Sequence, residues 1–208
     1  YLIRKADKAL YLAKKKGKNR HIIYEERLHG KLETDDMQNM AMAYAVSKEK
    51  KREAITEMIT ELCVSGVNAI VKSEERLQQI RSLFDLDGIT VFSDRGNRLV
   101  CRNGNYMAEA PDGRLGFEDE GYLSLFGDDD IFVESNMIKL RSQNPAAYAV
   151  TQEQEVGAAL QCLSRKEGIP YTMVSFEVFN RNRKWSDKDV TLLTLLGHCI
   201  GDLLNYSE

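Results

Sequence analysis

The chain has 208 residues, room for one full domain and further segments. Charged residues make up 29% of it yet nearly cancel, to a formal net charge of −3, so no overall field points to nucleic acid or an anionic membrane as a partner. No apolar run approaches the roughly 20 residues that span a bilayer, and the N-terminus lacks the charged, apolar and small-residue succession of a secretion signal, so a cytoplasmic protein is expected.

The sequence opens at Tyr1 without Met, which points to a fragment of a longer protein. Its first stretch predicts an amphipathic helix with Ile3, Ala6, Leu10 and Ala13 near one face, closed by Gly17 and followed by a strand-like His21-Ile22-Ile23-Tyr24. Lysines in the last turn suit the negative end of that helix.

The run Ala6-Asp7-Lys8-Ala9-Leu10-Tyr11-Leu12-Ala13-Lys14-Lys15-Lys16-Gly17-Lys18-Asn19 closely resembles the C-terminal end of a GGDEF domain, the catalytic domain of diguanylate cyclases. The resemblance covers about two dozen residues and implies a C-terminal GGDEF remnant over 1–24. It also implies that Lys14 and Lys18 stand where that family approaches the GTP phosphates. Lys18 replaces the commoner arginine, which keeps the charge and loses a bidentate fork. The turn that names the family and the carboxylates that hold its two divalent ions are missing from this sequence, and phosphodiester formation needs that metal. No catalytic residue, metal site or cofactor is therefore expected in this chain, whereas the parent cyclase would use GTP and Mg.

Residues 25–36 are polar, contain Gly30 and read as a linker. Thr34, Asp35 or Asp36 can cap a long helix starting near Met37, with Met37, Met40, Ala41 and Tyr44 as its first apolar stretch. A charged interval over 48–53 follows, and then Ile55, Met58, Ile59, Leu62, Cys63, Val67 and Ile70 recur at helical spacing. The first half either pairs with a second copy, making a homodimer, or folds back on its own domain. A second helix is predicted from Glu74 to Phe84, stopped by Asp85-Leu86-Asp87-Gly88. Those acids lack the spacing of a calcium loop, whose twelfth position would fall on Gly96, and read as a turn. Ile89-Thr90-Val91-Phe92-Ser93 and Arg98-Leu99-Val100-Cys101-Arg102 form a hairpin by composition, with further turns at Asn103-Gly104 and Pro111-Asp112-Gly113.

Residues 114–150 are the least legible, mixing Phe117, Tyr122, Leu125 and Phe126 with acids and then with amides and hydroxyls. Asp128-Asp129-Asp130 has no histidine nearby and reads as a solvated loop. Arg141, Ser142, Gln143 and Asn144 suit either an anionic or polar ligand or an ordinary capped helix entering at Pro145. Ala158 to Leu163 and Tyr171 to Phe179, joined across Gly168, form a second hairpin. Ser186 can cap a last helix, with Asp187 and Asp189 at its positive end and Leu192, Leu195, Leu196, Cys199, Leu203 and Leu204 as its apolar stripe. Cys63, Cys101, Cys162 and Cys199 lie far apart with no Cys-x-x-Cys pair, so buried free thiols are expected.

The closing hairpin, the Arg183-Lys184-Trp185-Ser186 corner and the leucine-rich last helix resemble the end of a GAF domain, and two helices followed by a meander resemble its beginning. This implies an α+β fold over 37–208, a GAF-like, PAS-related antiparallel sheet flanked by helices, with its signalling helix first. By the same resemblance the segment 114–150 walls a ligand cavity, with Tyr122, Phe126, Arg141, Gln143 and Asn144 as candidate pocket residues. The chromophore-attaching Cys-His order and the charged cluster of cyclic-nucleotide-binding GAF domains are not found. Three functional classes follow. The chain is a sensor of an unknown small molecule that controls cyclic di-GMP synthesis by the upstream GGDEF domain, or a dimerisation module without ligand, or a GTP-binding fragment of the cyclase.

Overall fold

In the computed structural model the described residues are 2–15, 21–29, 34–65, 74–93, 98–102, 105–107, 120–153 and 155–206. The chain divides into two compact units, Tyr1–Glu49 and Lys50–Glu208. In the first, α1 (Leu2–Lys15) forms where the amphipathic pattern places it, burying Ala9 and Ala13 and exposing Leu10. Residues 21–24, expected to be extended, carry no strand. A strand needs a ladder partner, and the described strands all belong to the second unit. A single turn, α2 (Glu26–His29), follows within the expected linker, its entry closed by the Glu25 amide donating to His29 Nδ1 at 3.0 Å.

The long helix α3 (Thr34–Ser65) begins at Thr34, slightly earlier than expected, and the division between the units falls inside it. The expected continuation through Val67 and Ile70 lies outside the described residues. In the second unit α3 buries Ala54, Ile55, Met58 and Leu62, a spacing of three to four that keeps one face inward. Helix α4 (Glu74–Phe84) adds Leu77, Ile80 and Phe84 to the same core.

Among the described residues six strands form one antiparallel sheet: β1 (Gly88–Ser93), β2 (Arg98–Arg102), β3 (Asn105–Met107), β4 (Ile131–Glu134), β5 (Val156–Lys166) and β6 (Ile169–Phe179), in the order β3-β2-β1-β6-β5-β4. The final hairpin thus supplies two interior strands, with β6 at the centre beside β1. Its turn is set by Glu167 at φ 54° and Gly168 at φ 85°, left-handed values that favour glycine. Alternation then sorts the side chains. Ile89, Val91, Leu160, Cys162, Val174 and Phe176 face the helical layer. The next residues along each strand face a second cluster built on Phe92, Phe126, Phe132, Leu140, Leu163 and Met173. Short elements cover that second face: α5 (Glu120–Leu123), a 3-10 turn (Met137–Lys139), α6 (Leu140–Gln143) and α7 (Pro145–Glu153).

The last helix, α8 (Asp187–Tyr206), starts as expected, with Ser186 Oγ accepting from the Asp189 amide at 3.1 Å. Its buried stripe differs in phase from the leucine pattern. Leu193, Leu196 and Ile200 are buried, and Leu195 is exposed. The cause is a pair of glycines one turn apart that let α8 lie close on β5. A Cβ added at Gly197 would stand 2.6 Å from Cys162 Sγ, and one at Gly201 would stand 2.2 Å from Ser164 Oγ. Gly201→Ala is expected to lower stability by about 1–3 kcal/mol through overpacking, and a urea midpoint equal to wild type would show that α8 sits further from β5 than described.

Two acidic segments, one expected as a turn into the first strand and the other as a solvated loop, are each tied to the sheet. In the first, Asp87 Oδ2 accepts from the Phe179 amide at 2.9 Å, tying the start of β1 to the end of β6. In the second, Asp130, at φ 55°, receives both contacts of Arg165 Nε at 2.8 and 3.0 Å. Among the described residues no group of His, Cys, Asp and Glu is placed to hold a metal, and no helix is long and apolar enough to cross a membrane.

Candidate functional site

The second sheet face carries a band of buried polar side chains across an otherwise apolar surface. Register places Thr90 opposite Ser175, Ser175 opposite Gln161 and Gly88 opposite Glu177, so three adjacent strands contribute to one patch. Thr90 Oγ1 donates to Glu177 Oε2 at 3.2 Å, and Gln161 Nε2 donates to Ser175 Oγ at 3.2 Å. From above, the Tyr122 hydroxyl donates to Gln161 Oε1 and lies 3.9 Å from Met173 Sδ. Thr90, Gln161, Ser175 and Glu177 are each exposed by 4% or less. Burying so many polar groups without function is costly, since each gives up water and regains only part of it through a protein partner.

The Tyr122 ring stands edge-on to Phe126, with centroids 5.7 Å apart, and to Phe132 at 6.4 Å. Two of the expected pocket residues, Tyr122 and Phe126, therefore belong to this wall. Arg141 and Gln143 are exposed on α6. Asn144 is buried, but its side-chain oxygen accepts from the Ala147 amide at 2.9 Å and so caps α7. Lys14 lies in α1 with its side chain outside the described set, and Lys18 lies outside the described residues altogether. The sequence reading passed over Thr90, Gln161, Ser175 and Glu177. A signal was available: a glutamine inside Ala158-Ala159-Leu160-Gln161-Cys162-Leu163 and a serine and glutamate two apart inside Val174-Ser175-Phe176-Glu177-Val178.

Among the described side chains, Cys63, Cys162 and Cys199 do not join this band, and that of Cys101 lies outside the described set. Cys162 faces the helical layer, where burial pushes its pKa up to about 12 and its S–H donates to the Thr194 carbonyl at 4.0 Å. Cys199, on α8, is raised by partial burial with Cys63 and Asp202 nearby. Cys63 is exposed, against the expectation that every thiol is buried, because it falls just outside the inward stripe of α3 set by Met58 and Leu62.

At the helical edge a charged cluster joins three elements. Lys51 Nζ meets Asp189 Oδ1 at 2.7 Å and lies 4.7 Å from the Phe84 ring centroid. Arg183 reaches Asp189 Oδ2 at 3.4 Å, donates to the Phe84 carbonyl at 2.6 Å and sits 4.2 Å over the Trp185 ring. Burial pulls the Arg183 guanidinium down from its usual value, and Asp189 and Asp85 oppose that shift.

This architecture is shared with solved structures. The far-red absorbing dark state of JSC1_58120g3 with bound biliverdin IXα superposes with a TM-score of 0.50 at 18% identity, over 73% of this chain and 97% of that one. The chromophore-binding domain of Stigmatella aurantiaca bacteriophytochrome in its Pr state gives a TM-score of 0.56 at 14% identity, over 74% of this chain and 60% of that one. The fold is GAF-like. At these identities the likeness extends to the fold alone. No protein-family model matches the chain, and no curated protein matches it. Within the GAF-like sheet the polar band occupies the face away from α3, α4 and α8, and the charged cluster sits on the other.

Proposed function

We propose that the GAF-like domain is a sensor that binds a small molecule on its polar sheet face and sets the output of a GGDEF domain whose end is residues 1–24. The observation that carries the reading is the buried band of Thr90, Gln161, Ser175 and Glu177 in the middle of an apolar face. The sequence of α1 supports the GGDEF part, with the cyclic di-GMP output that family implies and with Lys14 and Lys18 toward GTP phosphate.

The sheet gives a short route between ligand and output. Ser175 and Phe176 are consecutive, one on the polar face and the other in the core that holds Ile55, Met58 and Leu62 of α3. A ligand that shifts β6 therefore acts on the packing of α3, and a ligand that binds one setting better moves the population toward it. Two GGDEF sites must face each other to join two GTP molecules, so the setting of a helix between domains is a means of control. A homodimer paired along α3 completes this reading.

A covalently attached bilin, the ligand class of the biliverdin-bound structure, would need a thiol on the polar face. Of the cysteines whose side chains are described, Cys162 lies in the helical-side core, Cys63 is on α3 and Cys199 is on α8, while the Cys101 side chain lies outside the described set. A non-covalent ligand suits these three thiols better. The second reading, a dimerisation module without ligand, is favoured by Met42 and Val46, both exposed one turn apart on α3.

Native mass spectrometry of the freshly purified chain tests both. A dimer with a reproducible added mass is expected. An apo-dimer that also fails to acquire mass from cell extract would remove the sensor reading and leave the module, and a clean monomer would remove the pairing along α3.

A further inference from the structure

The Lys51–Asp189 contact at 2.7 Å ties α3 to α8 near the start of α8. From that contact Cys63 lies twelve residues further along α3 and Cys199 ten residues further along α8. At a rise of about 1.5 Å per residue these steps are roughly 18 and 15 Å. Over the same span both helices feed one core, Met58 and Leu62 from α3 with Leu196 and Ile200 from α8. The two helices therefore run in the same direction, and the two thiols come level to within about one helical turn.

Their positions around each helix also converge. Cys63 follows Ile59 by one turn, and Cys199 precedes Leu203 by one turn; Ile59 and Leu203 are both half-buried against the shared core. Each cysteine is next in sequence to a fully buried residue, Leu62 or Ile200. Both thus stand on the rim of the seam between α3 and α8, Cys63 exposed and Cys199 partly buried, and neither is in a disulfide. The Cys199 pKa is raised first by burial and next by the nearby Cys63. Packed helices with axes about 8–10 Å apart and Cα atoms at about 2.3 Å radius bring facing positions within the roughly 4.4–6.8 Å that a disulfide spans.

We propose that Cys63 and Cys199 are an oxidation site, at which a hydroperoxide converts the pair into a disulfide that staples the end of α3 to α8. Exposure makes Cys63 the sulfur that meets the oxidant. Its thiolate attacks one peroxide oxygen: an S–O bond forms, the O–O bond breaks, and the other oxygen leaves as alcohol or water after taking a proton. Cys199, sheltered and less readily ionised, then attacks the sulfenic sulfur of Cys63. An S–S bond forms, the S–O bond breaks, and hydroxide leaves as water with the Cys199 proton. Two thiols and one hydroperoxide thus become one disulfide, one alcohol or water, and one further water. The site stands whether or not the polar face takes a ligand, and the staple holds α3 in one setting against α8.

The test treats the whole reduced chain with hydrogen peroxide in small molar excess, blocks the remaining thiols with iodoacetamide and maps tryptic peptides by mass spectrometry without reduction. Trypsin places Cys63 in the peptide 53–72 and Cys199 in 189–208. These two peptides are expected joined within one chain, less two hydrogens, and separate again after dithiothreitol. The thermal midpoint of the oxidised chain is expected to rise by about 5 °C or more, because the link closes a long loop. Cys63→Ser and Cys199→Ser should each abolish both the joined peptides and the rise. Should Cys199→Ser fail to fold, Cys63→Ser decides alone, since its side chain is exposed. Any of four results overturns the pairing: both cysteines recovered alkylated, Cys63 carried to sulfinic acid, Cys63 linked between two copies, or either thiol linked to Cys101 or Cys162. A complete link that leaves the midpoint unchanged or lowers it also overturns it, because the thiols would then have met only by distorting the helices.

Discussion

Trp185→Ala is expected to cost about 3–5 kcal/mol of stability, the range for truncating a buried aromatic residue to alanine. Trp185 is buried at the corner between β6 and α8 and belongs to the helical-side core with Leu193 and Leu196. Its indole Nε1 donates to the Glu134 carbonyl at 3.1 Å, which fastens the end of edge strand β4 to the corner. Beside it the Arg183 amide donates to the Ser135 carbonyl at 3.0 Å, and the Arg183 guanidinium covers the ring. Three losses therefore coincide: apolar burial, an indole hydrogen bond and a cation–π contact. Trp185→Phe separates them, since it keeps much of the volume and removes the hydrogen bond, and should cost about 1–2 kcal/mol. Urea titration of the three chains is the measurement. A Trp185→Ala loss below about 1 kcal/mol is what a solvent-facing residue would give, and it would contradict the corner described above.

The reason this corner was legible in sequence, while the site behind it was not, lies in how local each signal is. The closing hairpin follows from Gly168 between two β-rich runs, and the start of α8 from Ser186 and two aspartates, all within a few residues of the structure they cause. The phase of the α8 stripe was not local. Leucine spacing favours Leu195, but contact with β5 is decided by how closely two backbones approach, and Gly197 and Gly201 decide that. The same holds for β5 and β6, where the burial of Gln161, Ser175 and Glu177 depends on a covering layer distant in sequence. That layer comes from residues 120–153, where the short elements are fixed by tertiary packing and by caps, Asn136 on the 3-10 turn and Asn144 on α7, rather than by periodicity. Tyr122 and Phe126 were visible because large aromatics announce burial on their own. Arg141 and Gln143 carry suitable chemistry, and the structure leaves them on the outside of α6.

Asp189→Ala is expected to destabilise the domain by about 2–4 kcal/mol, between the small worth of exposed ion pairs and the larger loss when a buried pair is broken from one side. The Asp189 side chain is 15% exposed, and its partners Lys51 and Arg183 are 18% and 10% exposed, so removing the carboxylate leaves two cations with little access to water. The residue matters beyond stability because of where its partners sit. Lys51 lies two residues past Glu49, at which α3 passes from one compact unit to the other, and Arg183 holds the loop that follows β6. On the proposed sensor reading, a shift of β6 caused by a ligand would reach α3 by two routes, through Phe176 in the core and through Arg183, Asp189 and Lys51 at the edge. A double-mutant cycle between Lys51→Ala and Asp189→Ala isolates the second route, with an expected coupling of about 1–2 kcal/mol. Additive effects, within about 0.5 kcal/mol, would mean that the 2.7 Å contact contributes nothing of its own. Among the described residues the core would then carry the connection between the polar face and α3. Amide exchange in the α3 segment around Lys51 provides the second readout, rising in Asp189→Ala while β5 and β6 stay protected if the edge contact holds the helix in place.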